Sequence, residues 1–203
     1  FSGNHKEIIV CGGEPLMHQN FSEVLKQIKK NGGEFITLTT NGSILTKEHL
    51  KLIKDLSFKR FQLSVSIDSL DPIKHDTFRK HTGAFQKAVK SLKLITESKI
   101  PNVVTSMRST IQANQIKDME DMVKFAKNLG CKRVGFSAIH PSGKAIERED
   151  LWMSQEEKLK FIKEVYRLRE VFPDIDVTTS DPLKCLFREE DEIGEKGELV
   201  FDG

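Results

Sequence analysis

The chain has 203 residues, with 32 Lys and Arg against 30 Asp and Glu, a formal net charge of +2, and 37% hydrophobic but only 7% aromatic residues. That length suffices to bury a core in one domain, or in one large and one small. No run approaches the roughly 18 apolar residues of a membrane span and the opening Phe1-Ser2-Gly3-Asn4-His5-Lys6 lacks a signal peptide's apolar centre, so a soluble cytoplasmic protein without a membrane partner is expected.

In chain order, the first predicted strand covers residues 7–11. A helix follows over 21–31, with Phe21, Val24, Leu25 and Ile28 on one face, Asn20 placed to cap it and Gly32-Gly33 to end it. The second strand, 35–40, leads through Asn41-Gly42 to a helix that Thr46 caps and that Leu45 and Leu50 staple. The third strand is 61–67. After a turn at Asp71-Pro72 and a break at Gly83, a helix carries Phe85, Ala88, Val89, Leu92 and Ile95 on one face and closes before Pro101. A fourth strand lies near 103–110. Ile116, Met119, Val123, Ala126 and Leu129 stripe the next helix, which Gly130 ends before a fifth strand at 132–139. Ser154-Gln155-Glu156-Glu157 is a capping-box signature for a helix to about residue 172, and a short final strand is expected at 175–179. Strands separated by helical patterns imply right-handed βαβ crossovers and a mainly parallel α/β sheet, open or curved into a barrel.

Period two within the strands is informative. In Phe61-Gln62-Leu63-Ser64-Val65-Ser66-Ile67-Asp68 one face is large and apolar, while Gln62, Ser64, Ser66 and Asp68 share the other. Thr37, Thr39 and Asn41 lie opposite Ile36 and Leu38; Ser106, Arg108 and Thr110 share a face, as do Gly135 and Ser137. Ordinary (βα)8 barrels fill the interior with Val, Ile and Leu, so small polar groups here point to a wet or ligand-filled lumen. The alternative is an antiparallel sheet with one solvated face.

The strongest local motif is Cys11-Gly12-Gly13-Glu14-Pro15, directly after the first strand and beyond a strand's carboxyl end, where parallel α/β sheets bind ligands. Paired glycines let backbone groups approach a ligand, and Glu14 offers a carboxylate to a cation. A tight turn with an exposed Glu is the competing reading. Thr39-Thr40-Asn41-Gly42 and Ser66-Ile67-Asp68-Ser69 end the next two strands, collecting hydroxyls, an amide and a carboxylate at the same rim. Glycine patterns for dinucleotide and triphosphate loops are absent, and mixed charges such as Glu147-Arg148-Glu149 leave no basic face for nucleic acid. Cys11, Cys131 and Cys185 are too scattered for a disulfide framework or a zinc site. Cys11 and Cys131 read as small buried residues, His49 as solvated, Met107 and Met119 as packing, and His18 and His140 as lying near the rim.

The ordered series of Gly12-Gly13-Glu14-Pro15, Thr40-Asn41-Gly42 and Ser66-Ile67-Asp68 resembles the radical S-adenosylmethionine (SAM) enzymes. His75-Asp76-Thr77-Phe78-Arg79 followed by Gly83-Ala84-Phe85 is similar to the stretch found in members with a carboxy-terminal cluster domain of the SPASM type. Asn114 and the segment from His140 to Ala145 look like its later landmarks. The resemblance implies a partial (βα)6 TIM-like barrel, a 4Fe-4S cluster that binds SAM, and reductive cleavage to a 5′-deoxyadenosyl radical. It further implies that Glu14 accepts from the SAM amino group beside Gly12 and Gly13, and that Ser66 and Asp68 meet the ribose. Thr40 and Asn41 would help hold the methionyl end, Arg79 would pair with the carboxylate, and residues 141–143 would border the adenine. A peptide or small-protein substrate, and an electron donor such as ferredoxin or flavodoxin, belong to the same expectation.

The CxxxCxxC cluster loop of that family is absent from this sequence, which therefore reads as an internal fragment missing its first βα unit, with residues 1–172 a truncated barrel and 173–203 the start of an extension. Cys185 is a candidate ligand of an auxiliary cluster there, or a surface thiol. Two other readings stay open: a different (βα) barrel enzyme on a small polar substrate, and a non-catalytic barrel that lost its cluster.

Overall fold

Neighbouring strands pair parallel throughout a six-stranded sheet whose order follows the chain, β1-β2-β3-β4-β5-β6. The computed structural model describes residues 7–139 and 151–180. Its strands are β1 (Glu7–Val10), β2 (Phe35–Thr40), β3 (Arg60–Ser66), β4 (Val103–Ile111), β5 (Arg133–Ala138) and β6 (Asp176–Thr179). The helices are α1 (Phe21–Lys30), α2 (Lys47–Leu56), α3 (Pro72–Arg79), α4 (Ala84–Ser98), α5 (Met119–Asn128) and α6 (Gln155–Val171), with 3-10 turns at Pro15–Met17 and Ala113–Asp118. A strand order without reversal, joined by right-handed crossovers, places the helices on one face, as in a barrel wall. The parallel pairing removes the antiparallel alternative.

The helix-facing side of the sheet is the core. Ile36, Leu38, Leu63, Val65, Ile67, Met107, Ile111, Val134 and Phe136 are fully buried against Leu25, Leu92, Val123, Phe161 and Val165. Each such side chain contributes about 1.5–3 kcal/mol by leaving water. The opposite face holds the polar alternates: Gln62, Ser64, Ser66, Asp68 and Ser106 are buried, while Thr37, Thr39 and Thr110 are half-buried.

Local signals explain most helix starts. Thr46 and His49 form a capping box on α2, with Leu45 and Leu50 buried as its staple, and Ser154 and Glu157 do the same on α6. Asn20 precedes α1 but makes no side-chain cap bond, because its backbone, at φ −100° and ψ 19°, is not in the extended conformation from which an N-cap side chain reaches the first-turn N–H groups. Asp71-Pro72 opens helix α3 and is more than a turn: the Asp71 carboxylate accepts from Ile73 N at 2.9 Å and Lys74 N at 3.2 Å, with Pro72 in the first helical turn. Only His75 of this helix is buried, so hydrophobic periodicity did not announce it. The expected boundary after residue 172 falls between α6 and β6, and β6 pairs parallel with β5. No helix among the described residues is long and apolar enough to cross a membrane.

Candidate functional site

The carboxyl ends of β1, β2 and β3 bring the predicted motifs together in two linked clusters. After β1 the chain turns through Gly12, whose φ of 142° lies where side chains are strained, although a Cβ would meet nothing within 4 Å. Gly12 and Gly13 are both exposed, so their backbone is open to a ligand. Glu14 then caps the turn Pro15–Met17. Its Oε1 accepts from Thr40 Oγ1 at 2.7 Å and Leu16 N at 3.2 Å, and its Oε2 accepts from Asn41 N at 2.7 Å. One half-buried carboxylate thus ties the first loop to the end of the neighbouring strand.

Thr40 has a supporting place here. Its side chain is only 2% exposed, its hydroxyl proton goes to Glu14, and the same oxygen accepts from Gly42 N at 3.0 Å. It orients Glu14 and keeps one acceptor position on its oxygen for a ligand. Asn41 contributes its backbone N–H to Glu14, while its side-chain oxygen accepts from Ser43 N at 2.8 Å. Gly42, at φ 74°, closes the turn where a Cβ would come within 2.9 Å of Val65 and 3.1 Å of the α4 backbone at Ala88.

The second cluster centres on Asp68, 2% exposed. Its Oδ2 accepts from Arg79 Nε at 2.6 Å and its Oδ1 from Thr110 N at 2.9 Å. Gln115 Nε2 donates to the Asp68 carbonyl at 2.9 Å. Arg79, which the resemblance assigned to the carboxylate of SAM, spends its Nε on Asp68, because α3 folds back over the end of β3. Ser66 lies two residues earlier on the same face, 7% exposed, with no partner for its hydroxyl among the described residues.

The geometry also explains the other residues of the stretch from 75 to 85. His75 Nδ1 accepts from Asp68 N at 3.1 Å, so its proton sits on Nε2 and the ring is neutral. Its pKa is held below the ordinary value near 6.5 by burial and by the Arg79 charge, against the opposing pull of Asp68 and Asp76. The 3.7 Å approach of His75 to the Asp68 carboxylate is therefore not an ion pair. Asp76 accepts from Gly83 N at 2.6 Å and Phe85 N at 2.9 Å, joining α3 to the start of α4, and Phe85 meets the His75 ring edge-on at 5.9 Å. The sequence supplied this motif without its function, which is to lock Asp68 in place.

Beside Asp68 opens a cleft of about 990 Å³, lined by residues that include Ile73, Phe78, Thr110, Gln115, Ser137 and Ile139. Thr110, Gln115 and Ser137 line this cleft although no motif named them; alternation in β4 and β5 signalled Thr110 and Ser137, whereas Gln115 lies on the 3-10 turn Ala113–Asp118 and had no such signal. His18 is exposed and accepts from Asn20 N at 3.2 Å. His140, residues 141–143 and Cys185 lie outside the described residues.

Cys11 is exposed, contrary to the expected buried place, as are the alternate residues Glu7 and Ile9 of β1, which has a single neighbouring strand among the described residues. Cys131 is buried as expected, and burial pushes its thiol up to about 12, so it is protonated at neutral pH and unsuited to metal ligation. Among the described residues no group of three or more His, Cys, Asp or Glu side chains is placed to hold a metal.

The rim's donors and acceptors suit a ligand with an ammonium and a diol, and comparison with known proteins decides which. A model of the radical SAM superfamily matches residues 1–126. The chain belongs to the radical SAM superfamily. Enzymes of this superfamily use SAM and a 4Fe-4S cluster. Over 166 residues the chain is 26% identical to the antilisterial bacteriocin subtilosin biosynthesis protein AlbA of Bacillus subtilis, spanning 82% of this chain and 36% of AlbA. It is 32% identical over 128 residues to a probable GTP 3′,8-cyclase of Methanocaldococcus jannaschii, spanning 62% of this chain and 40% of the cyclase. The chain thus covers less than half the length of either relative. Among solved structures, SuiB of Streptococcus suis bound to SAM matches with a TM-score of 0.63 at 15% identity, over 86% of this chain and 38% of SuiB, a likeness of fold.

SAM fits this radical SAM rim. A carboxylate has about four acceptor positions, of which Glu14 uses three, leaving one on Oε2. Asp68 likewise retains one position on each oxygen. A 4Fe-4S cluster does not fit the described residues, which hold no ligand set for it.

Proposed function

We propose that this chain is the SAM-binding barrel core of an enzyme that abstracts hydrogen from a peptide or small-protein substrate, with its cluster held by cysteines outside the described residues. When bound at such a cluster, SAM would supply the 5′-deoxyadenosyl radical through one-electron reductive cleavage, for which a ferredoxin or flavodoxin is a donor of suitable class. The carrying observation is the Glu14 carboxylate, fixed by Thr40, Asn41 and Leu16 with one acceptor position unspent. In this reading Glu14 receives the SAM ammonium between the open backbones of Gly12 and Gly13. Asp68 and Ser66 receive the ribose hydroxyls. Arg79 and His75 are positioning residues that hold Asp68. Because the carboxylates are fixed before the ligand arrives, little ordering cost remains at binding.

Support for a peptide substrate comes from relatives: AlbA is a bacteriocin biosynthesis protein, and SuiB has been crystallised with its precursor peptide SuiA. The cyclase relative makes a nucleotide substrate the competing reading. The test uses the full-length protein, reconstituted anaerobically. Glu14→Gln is expected to weaken SAM binding by about tenfold or more, the loss of a charge-assisted hydrogen bond, with a smaller loss for Thr40→Val. Unchanged affinity together with unchanged 5′-deoxyadenosine production would overturn the assignment. Deuterium transfer into 5′-deoxyadenosine from a labelled peptide encoded beside its gene supports the peptide class; transfer only from GTP refutes it.

A further inference from the structure

Arg108 is a charged residue on the ligand side of the sheet for which SAM binding provides no role. It stands on β4 in register with Ser66 of β3 and Gly135 of β5, so its flanks are a small hydroxyl and a bare backbone. The side chain is exposed, one pleat below Thr110, whose N–H holds Asp68. Its Nη2 donates to Ser137 Oγ at 3.0 Å and to Ser180 Oγ at 3.3 Å, and those two hydroxyls lie 2.8 Å apart. Both partners are neutral.

Three other arginines near the sheet behave differently. Arg60 pairs with Glu7, Arg79 with Asp68 and Arg133 with Asp176. Among the described residues Arg108 has no carboxylate within 4.0 Å and no hydrogen-bond partner for its Nε or Nη1. A guanidinium carries five donors in a rigid fork matched to an oxyanion, and here the serines fix one arm while the other edge stays free. Ser137 also lines the cleft, whose wall carries Lys74, Lys80 and Lys117. Asp118 is also on that wall, and the Asp68 charge there is already met by Arg79. The local balance favours a negative guest.

We propose that Arg108 is a specificity-determining anion anchor, which receives an oxyanionic group of the substrate, carboxylate or phosphate, inside the barrel below the SAM site. This rests on the reading of the rim as a SAM site and adds the substrate's charge to it. A peptide substrate then presents an acidic side chain or its terminal carboxylate, whereas a nucleotide presents its phosphate.

In the full-length protein saturated with SAM, glutarate and inorganic phosphate are titrated separately by calorimetry. One of them is expected to bind at one site per chain, glutarate marking a carboxylate guest and phosphate a phosphoryl guest. Arg108→Gln weakens that binding at least about tenfold, and Arg108→Lys, which keeps the charge but loses the fork, falls between. SAM affinity stays within about twofold of the wild type in both, which also reports intact folding. If neither anion binds, or if binding survives Arg108→Gln, the anchor is refuted. If Arg108→Gln weakens SAM itself about tenfold, Arg108 belongs to the cofactor site and the proposal fails. A wild-type protein that binds no SAM overturns the functional reading separately, and the same titrations on that protein then decide the anchor.

Discussion

The two ends of the polar face of the sheet carry similar residues and treat them differently. At the amino-terminal end, Arg60 Nη2 meets Glu7 at 2.9 Å and Thr37 donates to the same carboxylate, while Arg133 Nε donates to Asp176 at 2.6 Å and its Nη1 to Gln62 at 2.6 Å. These charges pair with one another, although Arg60 Nε is buried with no hydrogen-bond partner among the described residues. At the carboxyl-terminal end, among the described residues, Glu14 and Asp68 keep acceptor positions open, Ser66 has an unmatched hydroxyl and Arg108 an unmatched edge. Parallel βα architectures bind ligands at the carboxyl end of the sheet and use the other for stability, and the contrast between paired charges at one end and open positions at the other follows that division.

Breaking the rim should have the largest effect. Arg79→Met leaves the Asp68 carboxylate, 2% exposed, facing only neutral donors, and is expected to cost about 3 kcal/mol in urea unfolding as well as weakening SAM binding. A loss below about 1 kcal/mol would mean that Thr110 and His75 suffice to hold Asp68.

A pH profile sharpens the same contrast. The folded-state pKa of His75 lies below the ordinary value near 6.5, so below that pH the unfolded chain takes up the proton and the folded chain does not. Its stabilising contribution is complete above about pH 6.5 and is lost as pH falls through the folded value, with a slope of at most about 1.4 kcal/mol per pH unit. His75→Gln should flatten that part of the curve. An unchanged profile would show that another group governs it.

The smallest effect is expected at the opposite end. Arg133 and Asp176 are partly open to solvent, so a double-mutant cycle of Arg133→Gln and Asp176→Asn should give a coupling under about 1 kcal/mol, with SAM affinity unchanged. A change in SAM binding there would erase the distinction between the two ends.

Much of this architecture was legible locally. Alternation in residues 61–68 separated the core face from the ligand face, and residue pairs such as Leu45 with Leu50 and Ser154 with Glu157 announced their helices. Helix α3 was not legible, since it buries one histidine and is held by Asp68 and by the Asp76 bonds to α4. Cys11 was misplaced for a related reason: residue type says that a cysteine is apolar, but whether a strand end is covered depends on its neighbours in the sheet.

The sequence by itself determined the order of the strands and of every helix but α3, the polarity of each face and the motifs at the strand ends, because those depend on backbone periodicity and on side chains a few positions apart. Only the tertiary structure decided what the motif residues do. Parallel pairing brings Glu14 to Thr40, 26 positions away, and Asp68 to Thr110, 42 positions away. That pairing makes Thr40 a support for Glu14, gives Arg79 to Asp68, and leaves Arg108 among neutral hydroxyls with one edge free. Hydrogen-bonding capacity belongs to the residue type; whether it is spent or left open depends on which strands the fold places side by side.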